Sequence, residues 1–142
     1  MKLSIIIPVF NEEKTILQIL EKVKKANIPV DHEIIIVDDG STDATAIRIK
    51  NLESRIKNLK IIHHLKNQGK GAAVITGMKN AKGDYILIQD ADLEYNPNQI
   101  KDLLKPILDN KAKVVYGTRL NRMPHLNKEE KKHLFILFAI VS

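Results

Sequence analysis

The 142-residue sequence has no cysteine, and aromatic residues make up only 4% of it. Without cysteine the chain has no disulfide, no thiolate metal ligand and no thiol nucleophile. Few aromatic side chains disfavour the stacking surfaces that bind single-stranded nucleic acid. No apolar run reaches the roughly 18 residues of a membrane-spanning helix. A chain of this length instead predicts one domain with its own hydrophobic core.

The charge of the chain is moderately positive. It carries 23 Lys and Arg residues against 17 Asp and Glu residues, which gives a net charge of +6. Basic residues mixed with acidic ones are typical of solvated helix faces, and this interpretation is favoured over a surface that binds polyanions. Net charge is the only feature of the sequence that would support nucleic-acid binding, so we predict no nucleic-acid partner.

Apolar runs that suit strands alternate with segments in which apolar residues recur at helical spacing. Strands are predicted at 3–9, 33–37, 60–64, 85–89 and 113–116, and helices at 12–26, 45–56, 71–81 and 98–109. Several strands are apolar on both faces, which is typical of a parallel sheet covered by helices on both sides. The predicted fold class is α/β, with a mostly parallel Rossmann-like sheet in the order 3-2-1-4 and one further strand.

Two aspartates, Asp90 and Asp92, follow the fourth predicted strand with only Ala91 between them. In extended chain both carboxylates project to the same side, and Glu94 is placed to join them. Ligands bind at the carboxyl ends of parallel strands, and hard oxygen ligands suit Mg²⁺ or Mn²⁺. The alternative is a plain turn in which an Asp or Asn caps the helix after Pro97. The motif alone favours the plain turn.

A second acidic cluster follows the second predicted strand at 38–43. A turn at Gly40, followed by a helix that one hydroxyl side chain caps, accounts for the glycine and for one hydroxyl residue of this segment. It leaves the adjacent carboxylates Asp38 and Asp39 unexplained, and a carboxylate at this position suits hydrogen bonds to ribose hydroxyls or a base edge. The two interpretations are equally supported by this segment.

Basic side chains also follow strands. The segment 67–71 combines glycines with Lys70 at a helix start, where anions bind favourably, although a solvated helix face explains the lysine as well. Arg119 follows the fifth strand and either binds a phosphate or caps the sheet edge. His63 and His64 face opposite sides of a strand, and a surface or core role is the expected one for both.

Taken together, "SIIIPVFNEE", "EIIIVDDGSTDAT", "KNQGKGAAVITGMKNAKGDYILIQDADLEYNP" and "VVYGTR" resemble glycosyltransferase family 2, in particular its dolichyl-phosphate mannosyltransferase-like branch. The resemblance covers about residues 3–120. It implies a GT-A fold, a nucleotide-sugar donor, a divalent cation (Mg²⁺ or Mn²⁺) and inversion at the sugar carbon.

The resemblance also implies roles for individual residues. The residues implied to contact the nucleotide are Pro8, Phe10, Glu12, Val37 and Asp39. Asp90, Ala91 and Asp92 form the implied metal and diphosphate motif, in which Asp90, Asp92 and Glu94 are the implied metal ligands; Arg119 is implied to bind the donor phosphate, and Asp92 and Arg119 have implied catalytic roles. Residues 1–120 are expected to form the nucleotide-sugar-binding domain. Residues 121–142 are expected to form a loop and the start of a truncated helix, and the acceptor-binding half is expected to lie outside this sequence.

The sequence thus predicts an inverting, metal-dependent hexosyltransferase. Its expected donor is GDP-mannose or UDP-glucose, and its expected acceptor is a polyprenyl phosphate at the cytoplasmic face of a membrane. Two alternatives stay open. One is a family 2 transferase that extends a polysaccharide or another glycan, and the other is a non-catalytic module that binds nucleotide sugars.

Overall fold

The structure is a computed structural model that describes residues 1–91, 97–111, 115–118 and 134–139. Its strands are β1 (Lys2–Val9), β2 (Asp31–Asp38), β3 (Leu59–His63), β4 (Tyr85–Ile88), β5 (Val115–Thr118) and β6 (Leu134–Ala139). Its helices are α1 (Ile16–Lys25), α2 (Thr45–Ile49), α3 (Lys70–Asn80) and α4 (Ile100–Leu108). Short 3-10 helices occupy Leu52–Ser54 and Pro97–Gln99.

The strands form one sheet in the order β3-β2-β1-β4-β6-β5. β1, β2, β3 and β4 run parallel to one another, whereas β6 runs antiparallel to both β4 and β5. The predicted order 3-2-1-4 is confirmed. The order reverses between β1 and β4, because β2 and β3 extend from one side of β1 while β4 lies on its other side.

The core covers both faces of β1, whose residues from Leu3 to Val9 are all buried. On one face Ile5 and Ile7 join a large cluster with apolar residues of α1 and α4. On the other face α3 lies directly against the strand. A Cβ on Gly77 would be only 2.5 Å from the Ile6 side chain. This close packing of α3 fixes the position of its first residue, Lys70, at the carboxyl edge of the sheet.

The second helix is shorter than the sequence predicts. A continuous helix was expected at 45–56, but α2 ends at Ile49 and a 3-10 helix follows at Leu52–Ser54. Asn51, between them, has φ +67°, a left-handed conformation that interrupts a helix and that asparagine tolerates better than most residues. The prediction of one continuous helix is wrong.

The apolar segment near the end of the sequence is a strand rather than the predicted start of a helix. β6 lies inside the sheet, with β4 on one side and β5 on the other. A strand with neighbours on both sides accommodates a continuous apolar run, and over so few residues such a run does not distinguish strand from helix. The prediction of a helix is therefore wrong for residues 134–139, the part of 121–142 that the structure describes.

Within the described parts of the chain, no helix is both long enough and apolar enough to span a bilayer.

Candidate functional site

A cavity of about 260 Å³ opens at the carboxyl edge of the sheet, where the strand order reverses. Its walls come from the end of β1, from the loops after β1, β2, β3 and β4, and from the first part of α3. The residues that line it are Pro8, Val9, Phe10, Glu12, Asp39, Asn67, Lys70, Ala73, Asp90 and Ala91. The structure thus brings together six of the residues that the sequence assigned to the site.

The other assigned residues are placed differently. Val37 is fully buried in β2, where it packs with Ile35 and Ala73, and it does not line the cavity. Asp92, Glu94 and Arg119 lie outside the described residues. Their roles stay predictions.

The loops after β1 and β2 are held together by hydrogen bonds between backbone and side chains. Asn11 Oδ1 accepts from the Thr42 amide at 2.8 Å, and the Glu12 amide donates to Thr45 Oγ1 at 2.9 Å. The Ala44 amide donates to Glu13 Oε2 at 2.9 Å. These reciprocal bonds make the two loops one unit, which positions Phe10 and Glu12 at the cavity wall.

Asp39 is 2% exposed, and its carboxylate is bound on both oxygens. Oδ1 accepts from His64 Nδ1 at 2.7 Å and from the Gln68 amide at 2.9 Å, and Oδ2 accepts from the Gly69 amide at 2.9 Å. Burial raises the pKa of Asp39, but these hydrogen bonds outweigh it and hold the pKa below the ordinary value of 3.8. Asp39 therefore fixes the loop that leads into α3 as an ionised carboxylate.

His64 extends this network to α3. Its Nε2 lies 2.8 Å from Thr76 Oγ1, and its side chain is only 9% exposed. Because Asp39 is ionised, Nδ1 of His64 carries a proton and donates a hydrogen bond to Oδ1 of Asp39. No contact of His64 was predicted from the sequence, although the predicted strand order was a usable signal. It places the carboxyl ends of β2 and β3, and so Asp39 and His64, side by side.

Asp90 forms an ion pair with Lys70 at the cavity wall, through Oδ1 and the ammonium group. The Asp90 side chain is 24% exposed and that of Lys70 is 62% exposed. Among the residues that the structure describes, no three His, Cys, Asp or Glu side chains are grouped to hold a metal ion. Asp90 still suits Mg²⁺ or Mn²⁺, which commonly takes one or two carboxylates and completes its shell with water and phosphate oxygens.

Acid is expected to destabilise the protein through its hydrogen-bonded aspartates. Burial raises the pKa of Asp43, but hydrogen bonds from the Thr45 hydroxyl and amide and from the Glu13 amide outweigh burial. The pKa of Asp43 is therefore below its ordinary value, as it is for Asp39. A pKa below the unfolded value of 3.8 stabilises the fold above that pH, and this stability is lost as the pH falls through the folded pKa. Urea unfolding at several pH values between about 6 and 2.5 measures the loss. An equal free energy of unfolding across that range would contradict the prediction.

Solved structures with the same fold bind nucleotide sugars. Staphylococcus aureus TarS 1-349 in complex with UDP-GlcNAc aligns with a TM-score of 0.69 and 32% identity, over 80% of this chain and 33% of that one. Glucosyl-3-phosphoglycerate synthase from Mycobacterium tuberculosis, in complex with Mn²⁺, UDP-glucose and phosphoglyceric acid, aligns with a TM-score of 0.64 and 25% identity, over 80% and 42% of the two chains. The fold is that of a GT-A glycosyltransferase.

Curated relatives point to one group within that class. Dolichol-phosphate mannosyltransferase from Pyrococcus furiosus is 35% identical over 119 residues, which cover 84% of this chain and 33% of the relative. Dodecaprenyl-phosphate galacturonate synthase from Rhizobium johnstonii is 34% identical over 125 residues, which cover 86% of this chain and 37% of the relative. Residues 4–140 match the family described as Glycosyl transferase family 2, and the chain belongs to that family. It spans about a third of the length of these two relatives.

Proposed function

We propose that this chain is the nucleotide-sugar-binding part of an inverting, metal-dependent glycosyltransferase that moves a hexose to a polyprenyl phosphate. The observation that supports it most is the cavity at the reversal of the sheet, where Glu12, Asp39 and Asp90 meet Lys70. The donor is GDP-mannose or UDP-glucose. The relatives named for dolichol phosphate and dodecaprenyl phosphate support the lipid acceptor.

The residues of the cavity fit the charges of such a reaction. An acceptor phosphate oxygen forms a bond to the sugar C1 while the bond from C1 to the diphosphate breaks, so the nucleoside diphosphate leaves with the electron pair. A divalent cation, when bound, stabilises this developing charge more than it stabilises the substrate. Asp90, with Asp92 and Glu94, would hold the cation, and Arg119 would bind the donor phosphate.

The acceptor itself removes the need for a strong base. A phosphate monoester has its second pKa near ~6, so its oxygen is already an anionic nucleophile at neutral pH. A hydroxyl acceptor would instead need a general base. The same proposal includes a set of acceptor-binding residues and a cytoplasmic membrane surface, at which the enzyme would bind the lipid acceptor.

The test of the proposal is donor binding and transfer. Asp92→Asn is expected to keep the fold but to weaken Mn²⁺-dependent binding of GDP-mannose or UDP-glucose by at least about tenfold, because one of few anionic ligands is lost. Titration calorimetry with each donor measures binding, and transfer of labelled sugar to a polyprenyl phosphate measures activity. The matched control is Asp102→Asn, which removes an exposed carboxylate in α4.

Other outcomes identify the alternatives. Transfer to a glycan but not to the lipid phosphate indicates the glycan-extending transferase. Donor binding without turnover in the full-length protein indicates a binding module. Unchanged donor binding by Asp92→Asn would refute the metal role of that residue.

A further inference from the structure

We propose that Lys70 is an exchangeable counter-ion of this site. It neutralises Asp90 while no metal is bound, and it binds the diphosphate of the donor once the metal has taken its place beside Asp90. The inference rests on the proposed function and assigns a role to a residue that the sequence left open between anion binding and a solvated helix face.

Asp90 already has a cationic partner in this structure. A carboxylate in the cavity wall, 24% exposed, is paired with the Lys70 ammonium. That oxygen is one that a divalent cation would use. Two cations do not share one carboxylate oxygen at ion-pair distance without strong repulsion, and the divalent ion is the stronger partner. Metal binding at this oxygen of Asp90 therefore requires Lys70 to leave it.

The Lys70 side chain can move away from Asp90 while its backbone stays fixed. The side chain is 62% exposed and has a flexible four-carbon stem. An added Cβ at Gly69 or Gly71 would meet nothing within 4 Å, so the chain on either side of Lys70 is open. The helix below is anchored, because Gly77 packs against Ile6. The ammonium can thus change partner without any movement of α3.

Once it is released from Asp90, the Lys70 ammonium would lie near an anion bound at the start of α3. The amides of Gln68 and Gly69, just before α3, already donate to Asp39. An anion that binds at this helix start would therefore accept hydrogen bonds from the amides of the first turn and from the Lys70 ammonium. The donor diphosphate would lie beside the metal, at the same edge of the sheet. A lysine that has lost Asp90 would pair with it as a charge-assisted donor.

This exchange predicts two effects of opposite sign for Lys70→Gln. Without nucleotide, Mn²⁺ alone should bind about fivefold more tightly, because the competing ammonium is gone. With Mn²⁺ saturating, GDP or UDP should bind about tenfold more weakly, because a charged phosphate contact is lost. A residue with only a structural role would weaken both ligands together or affect neither.

The experiment measures free Mn²⁺ by electron paramagnetic resonance in titrations without nucleotide, and GDP and UDP binding by calorimetry at saturating Mn²⁺. Lys79→Gln removes the same charge from an exposed position in the last turn of α3 and should change neither affinity. Lys70→Arg keeps the charge and should stay close to wild type in its affinity for Mn²⁺ alone. Circular dichroism checks that each variant is folded.

Each outcome decides between the two proposals. Equal Mn²⁺ affinity in wild type and Lys70→Gln overturns the exchange and leaves the metal-dependent function intact. Weaker binding of both ligands by Lys70→Gln also overturns it. If neither protein binds Mn²⁺ with or without nucleotide, the metal-dependent function itself fails.

Discussion

Asp39→Asn should lower the free energy of unfolding by about 3 kcal/mol, because it breaks the hydrogen bonds of a buried carboxylate. Asparagine keeps one acceptor oxygen, which can still accept from both His64 and the Gln68 amide. Its NH₂ group, however, would face the Gly69 amide, which now donates to Oδ2 at 2.9 Å. Two donors in contact leave both unsatisfied in a buried place. Urea unfolding at neutral pH measures the effect.

The same substitution is expected to affect the site. The segment from His64 to Gly69 leads directly into Lys70, so its displacement moves a wall of the cavity, and GDP or UDP should bind about tenfold more weakly. Asp31→Asn, at the exposed start of β2, the strand that leads to Asp39, is the control for the chemical change and should leave stability within about 0.5 kcal/mol. An Asp39→Asn protein as stable as the wild type would show that the hydrogen bonds to His64, Gln68 and Gly69 contribute little.

Gly40→Ala is expected to cost about 3 kcal/mol of stability for two independent reasons. Gly40 has φ +70°, a conformation that is unfavourable for alanine. In addition, its Cβ would lie 2.5 Å from the backbone nitrogen of Asn67, and backbone atoms cannot rotate away as a side chain would. Because Asn67 lines the cavity, nucleotide binding should weaken together with stability.

The control for this prediction is a glycine without such a neighbour. Gly71→Ala lies in the first turn of α3, where a Cβ meets nothing within 4 Å, and it should be neutral or stabilising by up to about 1 kcal/mol. Thermal or urea unfolding of both variants compares them directly. Equal stabilities of Gly40→Ala and Gly71→Ala would contradict the close contact between the loops after β2 and β3.

The sequence predicted the part of the fold that depends on strong local patterns. β1, β2 and β4 are apolar runs that end in small or polar residues, and their alternation with helices gave the parallel order around β1. The strand ends, together with the family resemblance, assigned Pro8, Glu12, Asp39 and Asp90 to one site, and all four line the cavity, since parallel strands present their carboxyl ends on one edge.

What the sequence did not predict depends on contacts between distant segments or on single residues. The pair of Asp90 with Lys70 joins the end of β4 to the start of α3, and the bond of Asp39 to His64 joins two neighbouring strands. Neither has a local signal. The left-handed conformation of Asn51, which interrupts the helix after α2, belongs to a single residue within a segment that has a helical pattern. The strand β6 is an apolar run that suits helix and strand equally, and its neighbours in the sheet determine which one forms.

The position of β6 has a consequence for the order of assembly during synthesis. Tyr85 in β4 pairs with Ala139 in β6, so that edge of β4 has no partner until the ribosome has delivered the later strand. An unpaired strand edge is a template for pairing with other chains, and contacts between segments far apart in sequence form slowly. Nascent chains released before residue 134 should therefore aggregate by lateral association at β4.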